Sequence, residues 1–137
     1  MYERIKEGEA LGVKAAVEFM KIAIVGSRNI VVDKIERYIS NCDEIVSGGA
    51  KGVDSCAATY AEKNGIKITV FLPQYERYGR AAPIMRNYEI VDYADKVIAF
   101  WDGLSKGTLS VIRYAEKIGK ECEVILVDLQ TKNGEPG

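Results

Sequence analysis

Five short apolar runs, each stopped by a turn residue or a polar break, constrain this chain more than any other feature. They are "KIAIVGS" from Lys21, "EIVSGG" from Glu44, "KITVFLP" from Lys67, "KVIAFWDG" from Lys96 and "CEVILVDL" from Cys122. The apolar residues run on without alternating with polar ones, the pattern of strands buried on both faces. Between the runs, apolar residues recur at helical spacing. Strand, helix, strand, helix with such strands predicts a parallel sheet covered on both sides. Right-handed crossovers then make a single Rossmann-like α/β domain with five strands in the order 3-2-1-4-5, flanked by helices.

The helices are expected over Val31–Ile39, with Ile35 and Ile39 four apart, and over Lys51–Asn64, ended by Gly65. Two more are expected from Pro83 to about Tyr93 and from Lys106 to Ile118, the latter closed by Gly119. Proline suits a first helical turn, and glycine tolerates the left-handed cap. Gln74–Ala82 reads as a polar, tyrosine-rich loop. The chain has 137 residues, enough for one domain. It divides into an N-terminal extension, 1–20, open to a helix through Leu11, Val13, Ala16 and Phe19; a body, 21–128; and a polar tail, 129–137.

Composition removes several classes of function. Nineteen basic against twenty acidic residues leave a net charge of −1, which argues against nucleic-acid binding by blanket electrostatics. The chain has no histidine, so Ser-His-Asp and Cys-His catalysis are excluded. Its three cysteines, Cys42, Cys56 and Cys122, lack CxxC spacing, so neither a disulfide framework nor a metal site is expected and they read as buried small hydrophobes. No apolar run approaches the roughly 18 residues needed to span a membrane, and a cytoplasmic protein is expected.

In such sheets ligands bind beyond the carboxyl ends of the strands. The loops predicted to empty there carry Gly26, Ser27 and Arg28; then Ser47, Gly48, Gly49, Ala50, Lys51, Gly52 and Asp54; then Arg80, Arg86 and Asn87; and then Trp101, Asp102, Ser105, Lys106, Gly107 and Thr108. Glycines at the mouth of a helix let an anion reach backbone N–H groups and the positive end of the helix dipole. Hydroxyls orient such an anion, and arginine can grip two phosphate oxygens. No Walker GxxxxGK[ST] loop is present, nor GxGxxG at Gly48. Asp54 reads equally as a first-turn acid on its helix or as a ligand for a ribose hydroxyl. Trp101 reads as core or as a surface for a base. Tyr75 and Tyr78 read as exposed loop aromatics, and Lys21, Lys67 and Lys96 as solvated charge on the opposite edge.

Four ordered segments, "VGSR" (25–28), "SGGAKGVD" (47–54), "YGRAAPIMRN" (78–87) and "IAFWDGLSKGT" (98–108), resemble the YspA-like branch of the SLOG superfamily. That superfamily also groups DNA-processing protein A and the lonely-guy phosphoribohydrolases. The resemblance covers about residues 21 to 127 and implies a Rossmann-like fold holding a nucleotide or nucleotide-derived ligand. The lonely-guy enzymes carry PGGxGTxxE, whose glutamate works with an arginine on an N-glycosidic bond. Here Lys106-Gly107-Thr108 matches the end of that motif, Arg86 matches the arginine, and Val111 stands at the glutamate position. Arg86 and Asp102 are therefore the catalytic candidates, with Glu89 or Asp54 as substitute acids. "SGGAKGVD" is similar to the SGxAxGxD loop of DNA-processing protein A, a single-stranded DNA binder.

Three functions follow as expectations: binding or sensing of a nucleotide-type ligand without turnover, N-glycosidic cleavage of a nucleoside 5′-monophosphate, and single-stranded DNA binding, which the acidic balance makes the weakest. A homodimer is expected from the resemblance, with "RYAEKIG" (113–119) as an available helix face.

Overall fold

The computed structural model describes residues 5–6, 8–9, 20–39, 41–49 and 52–127. The helix expected in the N-terminal extension, the tail 129–137, and the site residues Ala50 and Lys51 lie wholly or largely outside those residues. Ile5–Lys6 and Gly8–Glu9 are two-residue strands paired with each other.

The five apolar runs form β1 (Lys21–Gly26), β2 (Glu44–Ser47), β3 (Lys67–Val70), β4 (Lys96–Trp101) and β5 (Glu121–Leu126). All pairs are parallel and the sheet order is β3-β2-β1-β4-β5, the expected 3-2-1-4-5. Central β1 and β4 are continuously buried, Ile22 to Val25 and Val97 to Phe100, which is why neither sequence alternates.

Side chains divide by parity between two cores. Ile22, Ile24, Ile45, Ile98 and Phe100 face one side, against α1 (Val53–Lys63) through Val53, Ala57 and Ala61. Ala23, Val25, Val46, Val97 and Ala99 face the other side. There they meet Ile90 and Val91 of α2 (Ala82–Tyr93) and Val111, Ile112 and Ala115 of α3 (Lys106–Ile118). Each large side chain so buried stabilises the fold by about 1.5–3 kcal/mol.

The helix expected over Val31–Ile39 does not form; the segment holds one 3-10 turn, Ile35–Arg37. Ile30, Ile35 and Ile39 still reach the core, so the apolar spacing was real. The β-branched pair Val31-Val32 lowers helix propensity, and Lys34 at the N-cap position supplies no side-chain cap. The expected loop Gln74–Ala82 instead winds into a helical turn, Tyr75–Tyr78, and a 3-10 turn, Gly79–Ala81, leading into α2. Pro83 sits in the first turn of α2, and Gly119 closes α3 at φ 74°.

Lys21, Lys67 and Lys96 do start strands on the edge away from the predicted ligand loops, but each has a protein partner. Lys96 lies between Glu121 and Glu123, 3.6 and 3.8 Å away. Lys21 sits over the Tyr93 ring. Lys67 is 3.8 Å from Glu44, a carboxylate only 2% exposed that accepts 2.6 Å hydrogen bonds from Thr69 Oγ1 and Tyr93 OH. Burial pushes the Glu44 pKa up, but those two hydrogen bonds and the charges of Lys67 and Lys21 outweigh it, so the group lies below its ordinary value. No helix among the described residues is long and apolar enough to cross a membrane.

Candidate functional site

At the carboxyl edge of the sheet, the ends of β1 and β2 meet the first turns of α1, α2 and α3 around a cavity of about 340 Å³. Nine of the residues singled out above line it: Gly26, Arg28, Gly48, Asp54, Arg86, Asn87, Ser105, Gly107 and Thr108. They come from four separate segments of the chain, and the β1-to-β4 neighbourhood is where the strand order reverses, the crevice that open α/β sheets offer to ligands.

The cavity's amide donors belong to α3. Ser105 is its N-cap, and its Oγ accepts from the Thr108 N–H at 3.3 Å. The Leu109 N–H donates to the Ser105 carbonyl. The amides of Lys106 and Gly107 stay in the first turn, where no intrahelical acceptor exists. A methyl group built on Gly107 would meet nothing within 4 Å, so this helix mouth is open. Trp101 Nε1 donates to the Ser105 carbonyl at 3.0 Å, and Asp102 Oδ1 accepts from the Leu104 and Ser105 N–H groups at 2.8 Å. These bonds fix the loop that carries the N-cap.

The other glycine loop is bare for a different reason. A Cβ on Gly48 would stand 2.8 Å from Arg86 Nη1 and 3.3 Å from Asp54 Oδ2, so the space over this residue is already filled by two charged groups. Gly26 is hemmed in by the Val53 side chain and the Phe100 carbonyl, at 2.5 and 2.9 Å from a built Cβ. The Gly49 N–H, expected to face an anion, donates to Ser47 Oγ at 3.1 Å. Glycine is required here by close packing of the protein on itself, whereas the space over Gly107 in α3 is open.

Arg86 is half-buried and anchored. Its Nε donates to Asn87 Oδ1 at 3.0 Å, and its Nη1 donates to the Gly48 and Phe71 carbonyls at 2.8 and 3.4 Å. Asn87 in turn donates to Ser110 Oγ and to the Gly107 carbonyl, joining α2 to the first turn of α3. Arg28 is exposed at the rim. Asp54, 7% exposed in the first turn of α1, is the one carboxylate among the lining residues. The cavity therefore combines two guanidinium groups, free-ended helix amides and an acid.

Several predicted residues stand elsewhere. Ser27, Ser47, Gly49, Gly52, Arg80, Trp101, Asp102 and Lys106 are not among the lining residues. Ser47 and Ser27 are buried, and the Ser27 hydroxyl lies towards the Asp102 carboxylate, helping to lower its pKa. Gly52 packs against the Arg28 carbonyl. The Asp102 carboxylate faces its own loop, and the Ser105 and Leu104 N–H groups hold its pKa below the ordinary value. Trp101 packs at the margin of the core.

The apolar floor was missed by the sequence reading. It consists of Val25, Pro83, Ile90 and Val111. Pro83, Arg86, Asn87 and Ile90 fall at i, i+3, i+4 and i+7, one face of α2, so helical spacing could have found it. A larger groove, about 560 Å³, runs outside the cavity between α2 and α3, past Tyr88, Lys106, Arg113 and Tyr114. It borders the 113–119 face. Among the described residues no group of three or more acidic or cysteine side chains could hold a metal ion.

No protein-family model matches this chain, and no curated protein matches it.

Proposed function

We propose that the protein binds, as a sensor or carrier, a nucleotide or nucleotide-derived ligand whose phosphate rests on the first turn of α3. The observation that carries this reading is the convergence of Arg28, Arg86, Ser105, Gly107 and Thr108 in one cavity at the carboxyl edge of the sheet. Backbone amides at the open helix end complement negative charge, and the nearby guanidinium groups reinforce them. The apolar floor would pack the uncharged part of the ligand. The resemblance of the four loop segments to the YspA-like branch of SLOG proteins points the same way. Calorimetry with nucleoside mono- and diphosphates, ADP-ribose and cyclic nucleotides tests it; saturable binding of at least one is expected, and no heat at millimolar concentration contradicts it.

One observation favours a second reading, cleavage of the N-glycosidic bond of a nucleoside 5′-monophosphate. Asp54 and Arg86 approach each other over Gly48 inside the cavity, a carboxylate and a cation beside the space a ribose would occupy. A carboxylate there would stabilise an oxocarbenium-like transition state. Release of free base, lost in Asp54→Asn and kept in Asp102→Asn, would establish it. The chain is further proposed to pair through the 113–119 face of α3, which light scattering after size exclusion would show as a doubled mass.

A further inference from the structure

Asn87 stands between the two halves of the anion site and touches both. Its Oδ1 accepts from Arg86 Nε at 3.0 Å, and its Nδ2 donates to Ser110 Oγ at 3.1 Å and to the Gly107 carbonyl at 3.4 Å. Ser110 Oγ donates to the same carbonyl at 2.7 Å. Arginine has no acceptor and a carbonyl has no donor, so one orientation of the Asn87 amide satisfies both neighbours. An aspartate would lose the donor, and a leucine would lose both groups. The result is a directed chain from guanidinium to amide to hydroxyl to carbonyl, running from α2 into the first turn of α3, and each bond in such a chain polarises the next. Adjacent residues of a helix point about 100° apart, so a bond between Arg86 and Asn87 is not a by-product of helical geometry.

We infer that Asn87 is the positioning residue of the anion site: it holds the Arg86 guanidinium at a fixed place beside the first turn of α3, so that one phosphate meets the arginine and the helix amides together. The inference rests on the phosphate-binding reading above and goes beyond it, because it assigns a role to a side chain that need not touch the ligand. Three protein acceptors hold Arg86: Asn87 takes Nε–H, and the Gly48 and Phe71 carbonyls take Nη1. None of these bonds uses Nη2. Arg86 therefore meets an anion through Nη2, without the paired grip through two nitrogens that a free guanidinium offers. A tetrahedral phosphate, whose oxygens spread in several directions, suits donors that arrive separately from α2 and α3. Exposed Arg28 has to be ordered when a ligand binds, whereas the freedom of Arg86 is already lost on folding, which favours binding.

The test titrates inorganic phosphate and AMP into wild type, Asn87→Ala, Arg86→Lys and the double variant, following the Gly107 and Thr108 amide resonances, with circular dichroism confirming that each is folded. Asn87→Ala should weaken both probes by about tenfold, the scale of one hydrogen bond to a charged group. In the Arg86→Lys background the same change should weaken them by less than about twofold, because lysine has no Nε–H for Asn87 to hold and a residue that acts through Arg86 falls silent without it. A purely structural role would show its full effect in both backgrounds. That outcome, or wild-type affinity in Asn87→Ala, overturns the positioning role and leaves the phosphate site standing. No shift in wild type with either probe at millimolar concentration overturns both readings. One measurement needs no variant: in the ligand-free wild type the Arg86 Nε–H should exchange with water at least about tenfold more slowly than those of exposed Arg28 and Arg80, as its bond to Asn87 requires. Equal exchange contradicts the inference even where a variant fails to fold.

Discussion

Arg86 Nη1 donates to the Gly48 carbonyl at 2.8 Å, so a single guanidinium joins α2 to the loop after β2 and roofs the candidate cavity. The two positions are 38 residues apart in sequence, and the Arg86 guanidinium occupies the space that a side chain at position 48 would need. The Gly48–Arg86 pairing sets the shape of the site.

Gly48→Ala should therefore damage fold and site together. The added methyl would stand 2.8 Å from Nη1 and 3.1 Å from Cζ, and Arg86, a flexible side chain, would swing away and lose its carbonyl contacts. The steric shift itself costs little, but the lost hydrogen bonds to the Gly48 and Phe71 carbonyls cost about 1–3 kcal/mol, which denaturant titration would read, and AMP affinity should fall as well. Gly107→Ala is the contrast. Nothing stands within 4 Å of its built Cβ, so stability should hold or rise, since alanine is favoured over glycine in a helix by about 1 kcal/mol.

Ser105→Ala should cost about 1 kcal/mol through loss of the N-cap bond to the Thr108 N–H. The Trp101 indole would still hold the Ser105 carbonyl, so the loop keeps its course. Thermal denaturation measures the first effect, and unchanged tryptophan fluorescence the second.

Asp102 and Asp54 should behave as opposites. Asp102→Ala removes the acceptor for two backbone N–H groups, an expected loss of about 1–3 kcal/mol in stability, and should leave AMP affinity near that of wild type. Asp54→Ala should alter ligand affinity whatever it does to stability. Paired melting and binding measurements on the two variants separate a loop-holding acid from a ligand-facing one.

These contrasts mark what the sequence could and could not carry. The strand order was legible because unbroken apolar runs such as Ile22–Val25 and Val97–Phe100 have no other use than a sheet covered on both faces. The sheet edge followed from it, and with that edge came Arg28, Gly48, Arg86 and Gly107. The direction of each side chain did not follow. Asp54 and Asp102 both sit at the carboxyl edge of the sheet, yet one lines the cavity and the other bends back onto Leu104 and Ser105. The Val31–Ile39 segment showed helical spacing because Ile30, Ile35 and Ile39 reach the core, which an irregular coil with one 3-10 turn achieves equally well. Glycines signal bareness, but only coordinates tell whether a ligand or a neighbouring side chain needs it.

Glu44 predicts the acid limb of stability. Its folded pKa is lowered, so its contribution is complete above the ordinary glutamate value and disappears as the pH falls through the lower folded value. Thr69→Val removes one donor to the buried carboxylate, with an expected cost of about 1–3 kcal/mol at neutral pH that shrinks on acidification. Glu44→Gln should flatten the stability profile over the same acid range. Chemical denaturation at a series of pH values checks both.

The central claim, a phosphate held by the first turn of α3, is tested most directly by titrating AMP into isotope-labelled protein and following backbone amide resonances. The account predicts saturable shifts that are largest at Lys106, Gly107 and Thr108, accompanied by the Arg86 side-chain Nε–H, with Glu44 and Lys67 at the amino edge of the sheet unmoved. Shifts confined to residues outside the cavity, or none at millimolar AMP, would contradict it.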